Sequence, residues 1–205
     1  MAPDRSKASP PTGDGAFVVI RHGATDWSDS GQHTGTTDVA LTSAGREQGK
    51  QVAALLKAFT PDEVWSSPRT RTQDTARLAG FDDPILDNEL VEWDYGVYEG
   101  LTRDQIREQD PEWTVWSSET PGGETPAQVY ARATRAVQRA SEQVAVGRTV
   151  LAFSHGHFSR VLMTAWCALP VQYGERFTLD PAGFCVLGVD RGTRVVKKWN
   201  LSTAD

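Results

Sequence analysis

The stretch Phe17-Val18-Val19-Ile20-Arg21-His22-Gly23 decides the fold class of this chain. Its apolar, mostly β-branched residues predict a short buried strand that ends at Arg21. A second run, Thr149-Val150-Leu151-Ala152-Phe153, predicts another buried strand and is followed by Ser154-His155-Gly156. A histidine and then a glycine are therefore expected just after the end of each strand.

Helical patterns separate these strands from the others. Thr42, Thr102 and Thr125 each precede a segment with helical spacing of apolar residues or a capping box, so each is expected to cap a helix. Strands that alternate with helices predict an α/β protein, a three-layer α/β/α sandwich with a mostly parallel central sheet. We expect residues 16–205 to form a single domain, residues 1–15 a disordered tail, and residues 23–38 a loop.

Composition excludes several classes of function. The 205 residues include 27 acidic and 21 basic side chains. The sequence has no dense block of Lys and Arg of the kind that would predict nucleic-acid binding. No apolar run reaches the ~18 residues of a membrane span. The two cysteines, Cys167 and Cys185, lack CxxC spacing and fit reduced thiols in a cytoplasmic protein, without excluding a disulfide. The sequence leaves open whether the chain forms a homodimer.

The candidate site lies where the strands end, because ligands of open α/β sheets bind beyond the carboxyl ends of the strands. His22 and His155 occupy such positions, and Arg21, Arg69 and Arg71 accompany them. Arginine matches phosphate oxygens in a bidentate manner, and the free N–H groups of a helix that starts near residue 156 favour an anion. The alternative is that each histidine is an ordinary loop residue. Together these residues predict a site for an oxyanion, most simply a phosphate group.

The segment Arg21-His22-Gly23-Ala24-Thr25-Asp26-Trp27 resembles the RHGxTxW signature of the histidine phosphatase superfamily, in its phosphoglycerate-mutase-like branch. Further motifs of that family follow in the same order: Gly31-Gln32-His33-Thr34-Gly35, Leu41-Thr42-x-x-Gly45, Ser66-Ser67-Pro68-x-x-Arg71, Glu92-Trp93-Asp94-Tyr95-Gly96-x-x-Glu99-Gly100, Pro121-Gly122-Gly123-Glu124-Thr125 and Ser154-His155-Gly156. The chain departs from many relatives at Ala24, where they have Glu or Gln, and at Ser28, where they have Asn.

The resemblance implies a role for each matching residue. His22 would be the nucleophile that forms a phosphohistidine, and Glu92 would protonate the leaving oxygen and later help to activate water. Arg21, Arg71 and His155 would hold the phosphoryl oxygens. The expected substrate-binding residues are Arg21, Ser28, Thr34, Gly35, Arg71, His155 and Gly156. The resemblance implies no metal and no cofactor, and the partner would be a small phosphorylated substrate.

Within the family, the short segment of 62 residues between Glu92 and His155 favours a phosphatase over a mutase. The motifs resemble those of actinobacterial acid phosphatases and of sugar-bisphosphate phosphatases. A sedoheptulose or fructose bisphosphatase, a phosphoglycerate mutase and a non-catalytic phosphate-binding protein remain alternatives. His33 and His157 are interpreted mainly as structural or rim residues, with His157 facing outward, and Arg69 as a rim residue.

Overall fold

A computed structural model describes residues 15–202 of the chain. The expected tail 1–15 lies outside the described residues, apart from Gly15. The strands are β1 (Phe17–Arg21), β2 (Glu63–Ser66), β3 (Ile85–Leu86), β4 (Val150–Ser154), β5 (Phe184–Asp190) and β6 (Thr193–Leu201). The α-helices are α1 (Asp26–Ser30), α2 (Ser43–Leu56), α3 (Thr70–Leu78), α4 (Arg103–Arg107), α5 (Pro126–Ala145) and α6 (Gly156–Trp166). Short 3-10 segments cover Asn88–Leu90, Gly96–Tyr98 and Val171–Arg176.

The six strands form one sheet in the order β3-β2-β4-β1-β5-β6. The first four strands run parallel, and β5 and β6 are antiparallel to their neighbours. The prediction of a mostly parallel central sheet is therefore confirmed.

Successive residues of β1 point to opposite faces of the sheet, as the two-residue period of a strand requires. Phe17 and Val19 join a core cluster with residues of α5 and α6, whereas Val18 and Ile20 join a second cluster with residues of α2 and α3. All four side chains are fully buried, and each contributes roughly 1.5–3 kcal/mol to folding. Helices cover both faces of the sheet, which confirms the three-layer sandwich.

The predicted helix starts are also observed. Thr42, Thr102 and Thr125 accept hydrogen bonds from backbone N–H groups in the first turns of α2, α4 and α5. Pro126 occupies the first turn of α5. Proline is tolerated there because backbone N–H groups in the first turn have no hydrogen-bond partner within the helix.

The prediction of a continuous loop over residues 23–38 is wrong. This segment contains α1, which begins after a reciprocal capping box between Thr25 and Ser28 and ends at Gly31 in the left-handed region, with φ of 78°. The two side chains satisfy N–H groups at the start of the helix, so a helix of only five residues is retained.

The parallel register brings three strand ends to one edge of the sheet. Arg21 pairs with Ser154, and Ser66 pairs with Phe153, so His22, Ser67 and His155 leave the sheet side by side. Among the described residues, no helix has the length and apolar character needed to cross a membrane.

Candidate active site

A cavity of about 160 Å³ opens at this edge of the sheet. Its walls combine basic, acidic and neutral hydrogen-bonding side chains with a single apolar residue. They are Arg21, His22, Ser28, Gly31, Gln32, His33, Thr34, Glu92, Tyr95, Gly156, His157, Arg160 and Leu179. His155, the remaining histidine of the chain, lies edge-on to His22, with 5.3 Å between the ring centroids.

The imidazole of His22 is held in one tautomer. Its Nδ1 lies 2.7 Å from the carbonyl oxygen of Gly23, and since a carbonyl only accepts, Nδ1 carries the proton. The lone pair is therefore on Nε2, on a side chain that lines the cavity. Burial, with the charges of Arg71 and Arg21, holds the pKa of His22 well below its usual range. A neutral imidazole with a free Nε2 is a competent nucleophile.

His155 is fully buried behind His22 and has the opposite tautomer. Its Nδ1 accepts a hydrogen bond of 3.2 Å from Nε of Arg71, so Nε2 carries the proton and donates to the hydroxyl of Ser67 at 2.9 Å. Burial and the charge of Arg71 hold the pKa of His155 well below its usual range.

Arg71 is also fully buried, and most of its donors are directed at protein atoms. Besides His155, its guanidinium donates to the carbonyl groups of Thr34, Gly35 and Thr37. In this arrangement it supplies positive charge beside His22 and fixes the loop that forms one wall of the cavity.

Arg21 packs across the first turn of α6. Its Nη1 donates to the carbonyl of Leu179, and its Nε is buried without a hydrogen-bond partner. A Cβ atom at Gly156 would lie 3.2 Å from that Nε, so a glycine here permits the close approach. An unpaired buried donor is costly, and an anion at this helix start would satisfy it.

The Glu92 carboxylate lies at the same helix start and is almost fully buried. It accepts hydrogen bonds from the backbone N–H groups of Trp93, His157 and Phe158. Burial raises the pKa of Glu92 above its usual range, against the lowering effect of these three N–H groups and of Arg71. A carboxyl group that keeps its proton at higher pH than an exposed one is suited to act as a general acid.

His157 does not face outward, so that interpretation is wrong. Its Nδ1 lies 2.6 Å from the hydroxyl of Tyr95, and its ring stacks on His33 at 5.9 Å between centroids. Tyr95 and Trp116 pack against the same ring, so the ring faces the cavity and not the solvent. His33 is buried, and its Nδ1 donates to the carbonyl of Leu101.

The other expected substrate-binding residues take different positions. Ser28 and Thr34 line the cavity, although the Ser28 hydroxyl is already engaged in the capping box with Thr25. Gly35 directs its N–H group at the carboxylate of Glu99. Arg69, which was not among the expected substrate-binding residues but was interpreted as a rim residue, is half-buried and lies outside the cavity lining.

Comparison with known proteins assigns the family. The model of the histidine phosphatase superfamily (branch 1) matches residues 17–202. The chain belongs to the histidine phosphatase superfamily. An acid phosphatase of Mycobacterium tuberculosis is 47% identical over 87% of this chain and 88% of its own length. A sedoheptulose 1,7-bisphosphatase of Saccharomyces cerevisiae is 34% identical over 76% of this chain and 68% of its own.

A solved structure extends this similarity to three dimensions. The structure of a Mycobacterium tuberculosis open reading frame product superposes with a TM-score of 0.89 at 44% identity, covering 92% of this chain and 98% of the other. The protein is thus a phosphatase of this superfamily.

Several residues of the candidate site are not predicted from the sequence. Tyr95 and Arg160 line the cavity without having been singled out, and Ser67 contacts His155. Ser67 and Tyr95 lie within motifs of the family, so the sequence could have indicated them, but no sequence feature indicates Arg160. Within residues 15–202, no group of three or more His, Cys, Asp or Glu side chains is arranged to hold a metal ion.

Proposed function

We propose that this histidine phosphatase is a metal-independent phosphomonoesterase that hydrolyses small phosphorylated metabolites through a phosphohistidine at His22. The observation that carries the proposal is the fixed tautomer of His22. Its Nδ1–H is committed to Gly23, so Nε2 offers a lone pair inside a cavity that also holds the Glu92 carboxyl.

The first step transfers the phosphoryl group. The substrate phosphate binds at the start of α6, where the unpaired Nε of Arg21 and the charge of Arg71 attract it. Nε2 of His22 attacks phosphorus, the bond to the leaving oxygen breaks, and the Glu92 carboxyl gives that oxygen its proton. The products of this step are a free alcohol, a phosphohistidine and an ionised Glu92.

The second step returns the enzyme to its starting state. A water molecule enters where the alcohol left, and the Glu92 carboxylate takes a proton from it as its oxygen attacks phosphorus. The bond between phosphorus and Nε2 breaks, inorganic phosphate leaves, and His22 is again neutral. Arg21, Arg71 and the N-terminus of α6 supply the charge stabilisation that a metal ion supplies in other phosphoryl transfers.

Similarity to the acid phosphatase favours a phosphomonoesterase of broad type, and similarity to the sedoheptulose bisphosphatase favours phosphosugars among its substrates. A cytoplasmic location is part of the proposal, because Cys167 and Cys185 are both free thiols, as reducing conditions would keep them.

The proposal is tested with a panel of phosphosugars, phosphoglycerates and p-nitrophenyl phosphate, assayed with and without EDTA. We expect release of inorganic phosphate that survives exhaustive chelation and is abolished in His22→Ala. Loss of activity in EDTA with recovery in Mg²⁺ or Zn²⁺ would contradict the metal-independent mechanism. Turnover retained by His22→Ala would contradict the assignment of His22 as the nucleophile.

A further inference from the structure

The segment that carries Glu92 has little regular structure of its own. A 3-10 turn covers Asn88–Leu90 and ends before Glu92. The Glu92 carboxylate nevertheless caps α6, because it accepts the N–H groups of His157 and Phe158 at 3.0 and 2.8 Å. The first N–H groups of a helix have no partner within it, so these two depend on a group from elsewhere. The position of the Glu92 carboxyl therefore depends on what holds its segment against α6.

Arg132, a buried residue of α5, binds the backbone of this segment. Its Nη1 donates to the carbonyl groups of Glu89 and Val91 at 3.0 and 2.7 Å. Its Nη2 donates to the carbonyl group of Glu92 itself at 3.2 Å. A carbonyl group removed from water needs a hydrogen-bond donor, and Arg132 supplies one to three of the four carbonyls of residues 89–92. One guanidinium thus fixes the path of the chain that leads to the carboxyl.

Glu124 pairs with the same guanidinium. Its carboxylate accepts hydrogen bonds from Nε and Nη2 of Arg132 at 3.0 and 2.8 Å, the two-point geometry in which arginine binds a carboxylate strongly. Oε2 of Glu124 also accepts the N–H group of Asp94, and its carbonyl accepts the indole N–H group of Trp93. The ion pair therefore contacts the chain both before and after Glu92.

Arg132 also packs against the helix that Glu92 caps. Its Cζ lies 4.2 Å from the ring centroid of Phe158, whose N–H group donates to the Glu92 carboxylate. A guanidinium has five N–H donors, and the carbonyls and the carboxylate described above take all of them. The part of the chain that the structure describes places neither Arg132 nor Glu124 in the cavity lining. Any effect of the pair on catalysis therefore acts through Glu92.

We propose that Arg132 and Glu124 are positioning residues, whose ion pair keeps the Glu92 carboxyl within reach of the leaving oxygen. This inference rests on the proposed phosphomonoesterase function. An acid protonates an oxygen only within hydrogen-bond distance of it, so a small shift of the segment weakens proton transfer and leaves the phosphate-binding groups in place. The pair also gives a function to the motif Pro121–Thr125, which contains Glu124.

Dependence on the leaving group separates this role from a general loss of structure. We define the leaving-group ratio as kcat/KM for the alkyl phosphate that the wild type hydrolyses fastest, divided by kcat/KM for p-nitrophenyl phosphate. In Arg132→Gln we expect this ratio to fall about tenfold, a part of the roughly 10²–10⁴ that a positioned acid contributes. Partial unfolding lowers both values equally and leaves the ratio unchanged. An unchanged ratio would overturn the proposal.

Two further substitutions complete the comparison. Loss of one partner of a buried ion pair is destabilising, so all rates are compared well below the melting temperatures. Glu124→Gln keeps Arg132 and the side-chain volume, and it should lower the ratio about threefold even if Arg132→Gln folds poorly. Arg135→Gln removes the same charge from an exposed pair with Glu89, about one turn along α5, and should leave the ratio unchanged. An equal fall in Arg135→Gln would overturn the assignment to Arg132.

Amide hydrogen exchange tests the same arrangement without turnover. The N–H groups of His157 and Phe158 report on the Glu92 carboxylate that accepts them. In Arg132→Gln they should exchange about tenfold faster, since hydrogen bonds to a charged group are among the stronger ones. In Arg135→Gln they should exchange as in the wild type. Unchanged exchange in Arg132→Gln would overturn the proposal, whereas faster exchange with a wild type that hydrolyses no phosphomonoester would refute the proposed function alone.

Discussion

The carboxylate of Glu99 accepts hydrogen bonds from the N–H groups of Gly35 and Thr37, and the guanidinium of Arg71 donates hydrogen bonds to the carbonyl groups of the same two residues. The two charged side chains thus hold opposite edges of one short loop. A Cβ atom at Gly35 would lie 2.4 Å from the carbonyl oxygen of Trp93, so the loop can approach this closely only with glycine there. Since Arg71 also contacts His155, the loop links Glu99 to the candidate active site.

The first prediction follows from this link. Glu99→Gln removes the negative charge and one of the acceptors, so the loop and Arg71 are held less firmly. We expect kcat/KM to fall about tenfold and the affinity for vanadate to fall by a similar factor, since charge-assisted hydrogen bonds are among the stronger ones. Glu112→Gln, the same change at an exposed position, is the control and should behave as the wild type. Unaltered vanadate affinity in Glu99→Gln would show that the loop does not position Arg71.

The second prediction concerns the close approach of Arg21 to α6. In Gly156→Ala the new Cβ would lie 3.2–3.3 Å from Nε and Cζ of Arg21 and displace the guanidinium. We expect KM to rise about tenfold while the melting temperature stays the same or increases, because alanine favours a helix. Gly49→Ala, in α2, should not change KM. An unchanged KM in Gly156→Ala would mean that Arg21 does not need this position to bind substrate.

The sequence was sufficient to predict the strand ends that carry the site. His22 and His155 follow short apolar runs that predict buried strands, and parallel strands bring such ends together at one edge of the sheet. The short helix α1 was missed although Thr25 and Ser28 have capping-box spacing, because the Gly, Ser, Thr and Asp content of the segment favours a loop.

The orientation of His157 could not be predicted in the same way. One position on a short helix can face solvent or a cavity, and the choice depends on side chains that pack against it from distant segments. In this protein, contacts with Tyr95 and Trp116 determine the orientation of His157. Arg160 belongs to the cavity for a similar reason, since carbonyls of residues 174 and 175 fix it from outside its own helix.

The third prediction is a pH profile with an acidic optimum. The proposed mechanism needs neutral His22, whose pKa is lowered well below 6.5, and protonated Glu92, whose pKa is raised above 4.5. As pH rises through the pKa of Glu92, the protonated fraction falls, so kcat/KM for an alkyl phosphate should decline toward neutral and alkaline pH. In Glu92→Gln this alkaline decline should disappear. A rate that increases up to pH 8 would contradict the assignment of Glu92 as the acid.

The fourth prediction concerns the leaving group. An alkoxide leaves poorly without a proton, so Glu92→Gln should lower kcat/KM, which reports the steps up to formation of the phosphohistidine, by roughly 10²–10⁴ on alkyl phosphates. The loss with p-nitrophenyl phosphate should be much smaller, because its phenolate leaves without help. Glu89→Gln is the matched control, since Glu89 pairs with Arg135 at the surface. Equal losses of kcat/KM on both substrates would contradict the assignment of Glu92 as the acid.

The central claim is that Nε2 of His22 carries the phosphoryl group during turnover. Rapid quenching of the enzyme with a substrate labelled in its phosphoryl group measures this directly, followed by mapping of the labelled peptide. We expect a phosphoenzyme that is stable in base and labile in acid, with the label on His22 and none retained in His22→Ala. Turnover without any labelled intermediate, or a label on another residue, would contradict the mechanism.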